Sequence, residues 1–168
     1  ISVLYGAVIT LRQTDLKRLI AFSSISHMGY VLLGISSIAG VNGTISHVGL
    51  TGAAMQMFTH GTITGLLFLV VGYIYEKTHT RYIPDLGRLA ANMPLVACIF
   101  VIAGLASLGL PSTSGFVGEL LVFLGTYDVW IIPTALSVFG IVITSGYILW
   151  TIQRVMFGPR RDRFIGIG

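Results

Sequence analysis

The sequence predicts an all-α polytopic membrane protein: a bundle of about four complete transmembrane helices, one of them discontinuous, preceded by a partial helix. Three observations lead there. Of 168 residues, 54% are hydrophobic and only 10% are charged, against about 25% charged in a soluble domain. The mean hydropathy is +0.88. The apolar residues also fall into runs near or above the roughly 20 residues that one helix needs to cross a bilayer, with short polar stretches between them.

Taken in order, residues 1–11 are apolar but too short to span. They start without Met or a charged leader-like region, and they read as the end of a helix whose beginning lies upstream. A polar link at 12–18 follows, then a first complete span at about 19–39. Asn42-Gly43-Thr44 signals a turn. A second span covers about 48–75, and 76–92 reads as a charged loop. The third passage, about 94–127, is too long for one straight helix. It holds Leu-Gly-Leu-Pro-Ser-Thr-Ser-Gly-Phe-Val-Gly-Glu-Leu at 108–120. Pro111 has no amide proton and disfavours α geometry at Leu110, while Gly109 and Gly115 loosen the backbone on either side. Two half-helices, about 94–108 and 115–127, are therefore expected, broken near 109–115. Irregular backbone at that depth persists only under protein cover or beside a watery cavity. A turn at 126–128 leads to a last span at about 130–153 and a basic tail. The whole of 1–168 reads as a single membrane domain.

Charge placement orients the bundle. All ten Lys and Arg residues fall in segments that an even number of crossings puts on one side, whereas the opposite turns hold none and one carries Asp128. This is the positive-inside pattern, so the basic side should face the cytoplasm or its equivalent. The same placement makes the broken run one crossing. It also accounts for the net charge of +4 without nucleic acid. Tyr and Trp residues near several span ends fit interfacial belts. The one cysteine, Cys98, lies in an apolar run, and no CxxC, paired Cys/His spacing or GxGxxG motif occurs. These absences argue against a metal, iron–sulfur or dinucleotide site on this chain.

Polar residues inside the spans lie on shared helix faces. They are Ser23, Ser26, His27 and Tyr30; then Gln56, Thr59, His60 and Thr64 beside the pair Gly61/Gly65; then Ser137, Gly140 and Thr144. Helix packing accounts for the small and hydroxyl residues. The candidate proton-path residues are Glu119, His60, His27 and Lys17. Glu119 is the only acid in a long apolar segment, and ionisable groups there mark functional sites by default. Imidazole both accepts and donates a proton near neutral pH. Structural roles compete for each: an ion pair for Glu119, satisfied hydrogen bonding for the histidines and interfacial anchoring for Lys17. His47 and His79 fall in expected loops and receive no role.

Four ordered motifs carry a family likeness: Asp-Leu-Lys-Arg-Leu-Ile-Ala-Phe-Ser-Ser-Ile-Ser-His-Met-Gly-Tyr (15–30), Met-Gln-Met-Phe-Thr-His-Gly (55–61), Gly-Leu-Pro-Ser-Thr-Ser-Gly-Phe-Val-Gly-Glu (109–119) and Gln-Arg-Val-Met-Phe-Gly-Pro (153–159). Together they resemble the antiporter-like membrane subunits of respiratory complex I, most of all the M-type (subunit 4). Cation/proton (Mrp-type) antiporters and membrane-bound hydrogenases share the superfamily. The resemblance implies a proton-translocating subunit of NADH:quinone oxidoreductase in a bacterial, archaeal or organellar membrane. It also implies two inverted five-helix repeats, of which this chain would hold the second. Glu119 matches the family's titrating position on a broken helix, and His27 and His60 match its hydrated axis. Lys17 matches a charged position at the start of a span. No cofactor is expected here; NADH, flavin, iron–sulfur clusters and quinone belong on other subunits, which with the bilayer are the expected partners. The first repeat and a last helix are missing, so the chain reads as a fragment. An assembly or anchoring piece without transport is the remaining alternative.

Overall fold

The structure, a computed structural model, describes residues 1–40 and 45–159. The expected turn at Asn42-Gly43-Thr44 and the tail arginines Arg160, Arg161 and Arg163 lie outside the described residues. Among the described residues there is no strand. The helices are α1 (Ser2–Leu11), α2 (Leu16–Ser36), α3 (His47–Thr78), α4 (Leu89–Asn92), α5 (Pro94–Ser107), α6 (Ser114–Thr126) and α7 (Ile131–Phe157), with short 3-10 turns at Ser37–Ala39 and Ile83–Asp85. Three are long and apolar enough to cross a membrane by themselves: α2 with its 3-10 extension, α3 and α7. The shorter apolar helices α5 and α6 lie on either side of the interruption expected near 109–115.

Local chemistry sets the helix ends. The Asp15 side chain accepts from the Arg18 backbone N–H at 3.0 Å and caps α2, satisfying one of the four unpaired amides of a helix start. Lys17 and Arg18 are therefore helical, and the polar link expected at 12–18 is shorter than its composition suggests. Ser46 caps α3 through the Gly49 N–H, which puts His47 at its first helical position instead of in a loop. His79 closes α3 in the left-handed region at φ 54°. Pro94 opens α5, where its missing N–H costs no hydrogen bond. Within the stretch expected as a charged loop, α4 and the 3-10 turn at Ile83–Asp85 add short helical pieces.

Between α5 and α6 the chain reverses locally through Gly109 at φ 73° and Ser112 at φ 82°. The interruption still keeps most of its amides bonded: Leu108 N donates to Gly104 O, Leu110 N to Leu105 O and Thr113 N to Leu110 O, at 3.0–3.2 Å. Unpaired backbone groups in an apolar surround would each be costly.

Helix α2 is central and touches α1, α3, α6 and α7, while α3 lies most extensively against α6. That pair meets through glycines. A Cβ at Gly52 would come within 2.5 Å of Val122 N, one at Gly118 within 2.5 Å of Gln56 Oε1, and one at Gly125 would collide with the Gly49 backbone. Gly61 and Gly65, which the sequence offers as a packing pair, do not serve that purpose within this chain. A Cβ on either meets no atom within 4 Å, because the α3 face that touches α6 is the one carrying Gly49, Gly52 and Gln56.

One end of the bundle is basic. Leu16 N donates to Arg81 O at 2.9 Å and Ile83 N to Thr14 O at 2.8 Å, an antiparallel bridge that ties the loop after α3 to the start of α2. Arg88 and Met156 line one hollow, so the end of α7 is there too. At the other end the Trp130 indole N–H donates to Ser36 O at 3.2 Å. Beneath the basic end, Leu16, Leu19, Ile74, Ile83, Leu89, Val155 and Met156 form a buried apolar cluster. The outer surface is apolar, with Leu69, Ile132, Leu95 and Phe58 at 70–73% exposure. Such a surface is suited to lipid or to neighbouring helices.

Candidate functional site

The α5–α6 interruption leaves the start of α6 facing α2 and α3, and Glu119 lies one turn into α6, where it is 4% exposed. Its carboxylate occupies the space that a side chain at position 109 would take. A Cβ on Gly109 would lie 2.5 Å from Glu119 Oε2. Positive φ and this close approach both call for glycine there.

From α2, His27 points to the same place and is 2% exposed. Its Nδ1 lies 3.5 Å from Glu119 Oε1, without the alignment of a hydrogen bond. Nε2 lies 3.4 Å from Ser107 Oγ, at the end of α5. From α3, the His60 ring stands 5.2 Å from the His27 ring, centroid to centroid, and both His60 nitrogens lie 3.3 Å from Thr64 Oγ1. His27, His60, Gln56, Thr59, Ser107 and Glu119 line one small cavity of about 10 Å³, about the least that admits one water. Gln56 Oε1 and His27 Nδ1 are buried without hydrogen-bond partners in the structure. Each is a polar group that burial makes costly unless it is paired.

The polar faces read from sequence thus converge. Tyr30 is fully buried and donates to Ser137 O of α7 at 3.1 Å. Lys17 does not join the cluster. It is ten residues before His27 on α2, about 15 Å along the axis, and it is exposed at the basic end beside Tyr75 and Arg81. Ser107 is absent from the sequence-based set because it reads as one hydroxyl in an apolar half-helix. Its position immediately before the break was the available signal. Among the described residues no three His, Cys, Asp or Glu side chains gather closely enough to hold a metal.

Chemically, the cluster joins a carboxylate and two imidazoles, with Glu119 and His27 buried and His60 partly exposed. A proton on Glu119 has an acceptor 3.5 Å away, and the next imidazole abuts the first. Direct transfer needs closer approach, near 2.6–3.2 Å, or one intervening water.

Fold and site together define a polytopic helical membrane protein with an acid–imidazole cluster beside an interrupted helix. The chain belongs to the NADH:quinone oxidoreductase/Mrp antiporter transmembrane family, which matches residues 1–144. It is 44% identical over 165 residues to NADH-quinone oxidoreductase subunit M of Rickettsia felis, covering 98% of this chain and 32% of that protein. It is likewise 44% identical over 163 residues to F(420)H(2) dehydrogenase subunit M of Methanosarcina mazei, covering 97% of this chain and 32% of that one. The fold matches a chain of respiratory complex I from Thermus thermophilus with bound NADH. There the TM-score is 0.86 and the identity 32%, over 99% of this chain and 36% of that chain. The chain spans about a third of the length of the curated relatives it matches.

Proposed function

We propose that this chain is part of a proton-translocating membrane subunit of an NADH:quinone oxidoreductase, where NADH oxidation by quinone drives proton export. The observation that carries the reading is the buried Glu119–His27–His60 cluster beside the α5–α6 break. Glu119 is the proton-loading or release site, and His27 and His60 relay protons between it and groups outside this chain. Ser107 and Thr64 hold the two rings in place. Subunit M names both an NADH-quinone oxidoreductase component and a component of the F(420)H(2) dehydrogenase. A subunit common to two electron donors suits the proton step better than the redox step. Redox cofactors then sit on other subunits, and the basic end faces the cytoplasm or its organellar equivalent.

Glu119→Gln in the full-length subunit tests this reading, because it preserves shape but cannot exchange a proton. The complex should assemble while membrane-potential generation per assembled complex falls at least tenfold, and Glu119→Asp should keep part of it. Wild-type potential in the Gln variant removes Glu119 from the path. Loss of the complex itself would instead indicate a structural ion pair, since breaking a buried pair costs about 3–5 kcal/mol. A second reading follows from the family, which also covers Mrp antiporters. Under it, proton flux follows a cation gradient and is indifferent to NADH.

A further inference from the structure

We infer that the hollow between the start of α2 and the end of α3 binds the phosphate headgroup of an anionic phospholipid in the leaflet at the basic end. The hollow measures about 270 Å³ and is lined by Lys17, Phe68, Val71, Gly72, Tyr75 and Arg81. Its two cations come from segments that the backbone holds together. Leu16, next to Lys17, donates its N–H to the carbonyl of Arg81 at 2.9 Å. The Arg81 guanidinium is further fixed over the Tyr75 ring, 4.0 Å from its centroid. Among the described residues the only ion pair is His27–Glu119, so neither Lys17 nor Arg81 is held in an ion pair with a described carboxylate.

Shape selects a lipid over a free anion. From Tyr75 to Phe68 the floor descends two turns of α3, about 10 Å, from the cationic mouth towards the apolar middle of the bundle. Val71 is buried under this floor, and the missing side chain at Gly72 keeps it open, since a Cβ there meets no atom within 4 Å. A phosphate at the mouth with an acyl chain along Gly72 and Phe68 satisfies both halves, whereas inorganic phosphate has no use for the apolar half. Paired Lys and Arg at a membrane interface have this chemistry in general, each cation contributing roughly fivefold in affinity for anionic lipid. The inference stands even if the chain moves no proton.

The test is native mass spectrometry of the full-length membrane protein in detergent, titrated with phosphatidylglycerol or phosphatidylcholine. Wild type should retain one phosphatidylglycerol in preference to phosphatidylcholine. Lys17→Gln with Arg81→Gln should weaken that binding about 30-fold, and Gly72→Leu, which fills the hollow and keeps both charges, should also abolish it. The backbone bridge does not use these side chains, so the fold should persist in both. Equal retention of phosphatidylglycerol by wild type and both variants overturns the inference. So does displacement by millimolar inorganic phosphate, or a crosslink from Lys17 to an acidic protein segment seated in the hollow.

Discussion

At the scale of single residues, burial ranks the two histidines. The sequence puts both on polar faces inside spans. In the structure His27 is 2% exposed and touches Glu119, Ser107 and the His60 ring, while His60 is only partly buried. His27→Ala should therefore cost more: about 2–4 kcal/mol of stability from the cavity and the stranded partners, together with a large loss of proton transfer. His60→Ala should slow transfer with little loss of assembly, and proton flux normalised to complex content separates the two. Gly109→Ala is a sharper probe of the break. The left-handed backbone alone costs about 1–2 kcal/mol, and the new methyl displaces the Glu119 carboxylate. Reduced pumping should accompany a lower unfolding temperature; normal pumping would mean that the carboxylate position is not critical.

At the scale of elements, the α3–α6 contact depends on absent side chains. Gly52→Val should drive α3 off the Val122 backbone and destabilise by at least the roughly 1–3 kcal/mol of core overpacking, read as lost assembly. Gly61→Ala adds a methyl that meets no atom of this chain, so it should assemble as wild type. Failure there would reveal a segment outside residues 1–168 packed on that face. The helices were legible because long apolar runs leave few alternatives, and the break because Gly109 and Pro111 punctuate one of them. Which glycines pack was not legible, since a G-x-x-x-G pair defines a face without naming its neighbour. The α2 start was misplaced by composition, as Lys17 and Arg18 look like link residues until the Asp15 cap is seen.

Across the whole molecule, the helices place the described basic residues at one end and Asp128 at the other. Cysteines replacing Arg81 and Asp128, in a background with Cys98→Ser, should react with an impermeant thiol reagent from opposite faces of the membrane. Labelling from the same face would contradict the single discontinuous passage. The convergence of Glu119, His27 and His60 was only half readable. Each helix shows its own polar face, but the relative rotation of three helices is set by packing, which no single-helix pattern contains. Lys17 illustrates the limit. The sequence leaves Lys17 open between a proton path and interfacial anchoring, and α2 places it beside Tyr75 and Arg81, about 15 Å along the axis from His27.

The broken passage also constrains how the protein is made. Helices α5 and α6 have 14 and 13 residues, each short of the roughly 20 that hold a lone segment in a bilayer. Both lie chiefly against α3, which is synthesised earlier, and α5 also touches α7, which follows it out of the ribosome. The acid-bearing pair therefore depends on α3 to stay in the lipid, and nascent chains ending near Tyr127 should slip back out of the insertion machinery when Gly52→Val spoils that contact.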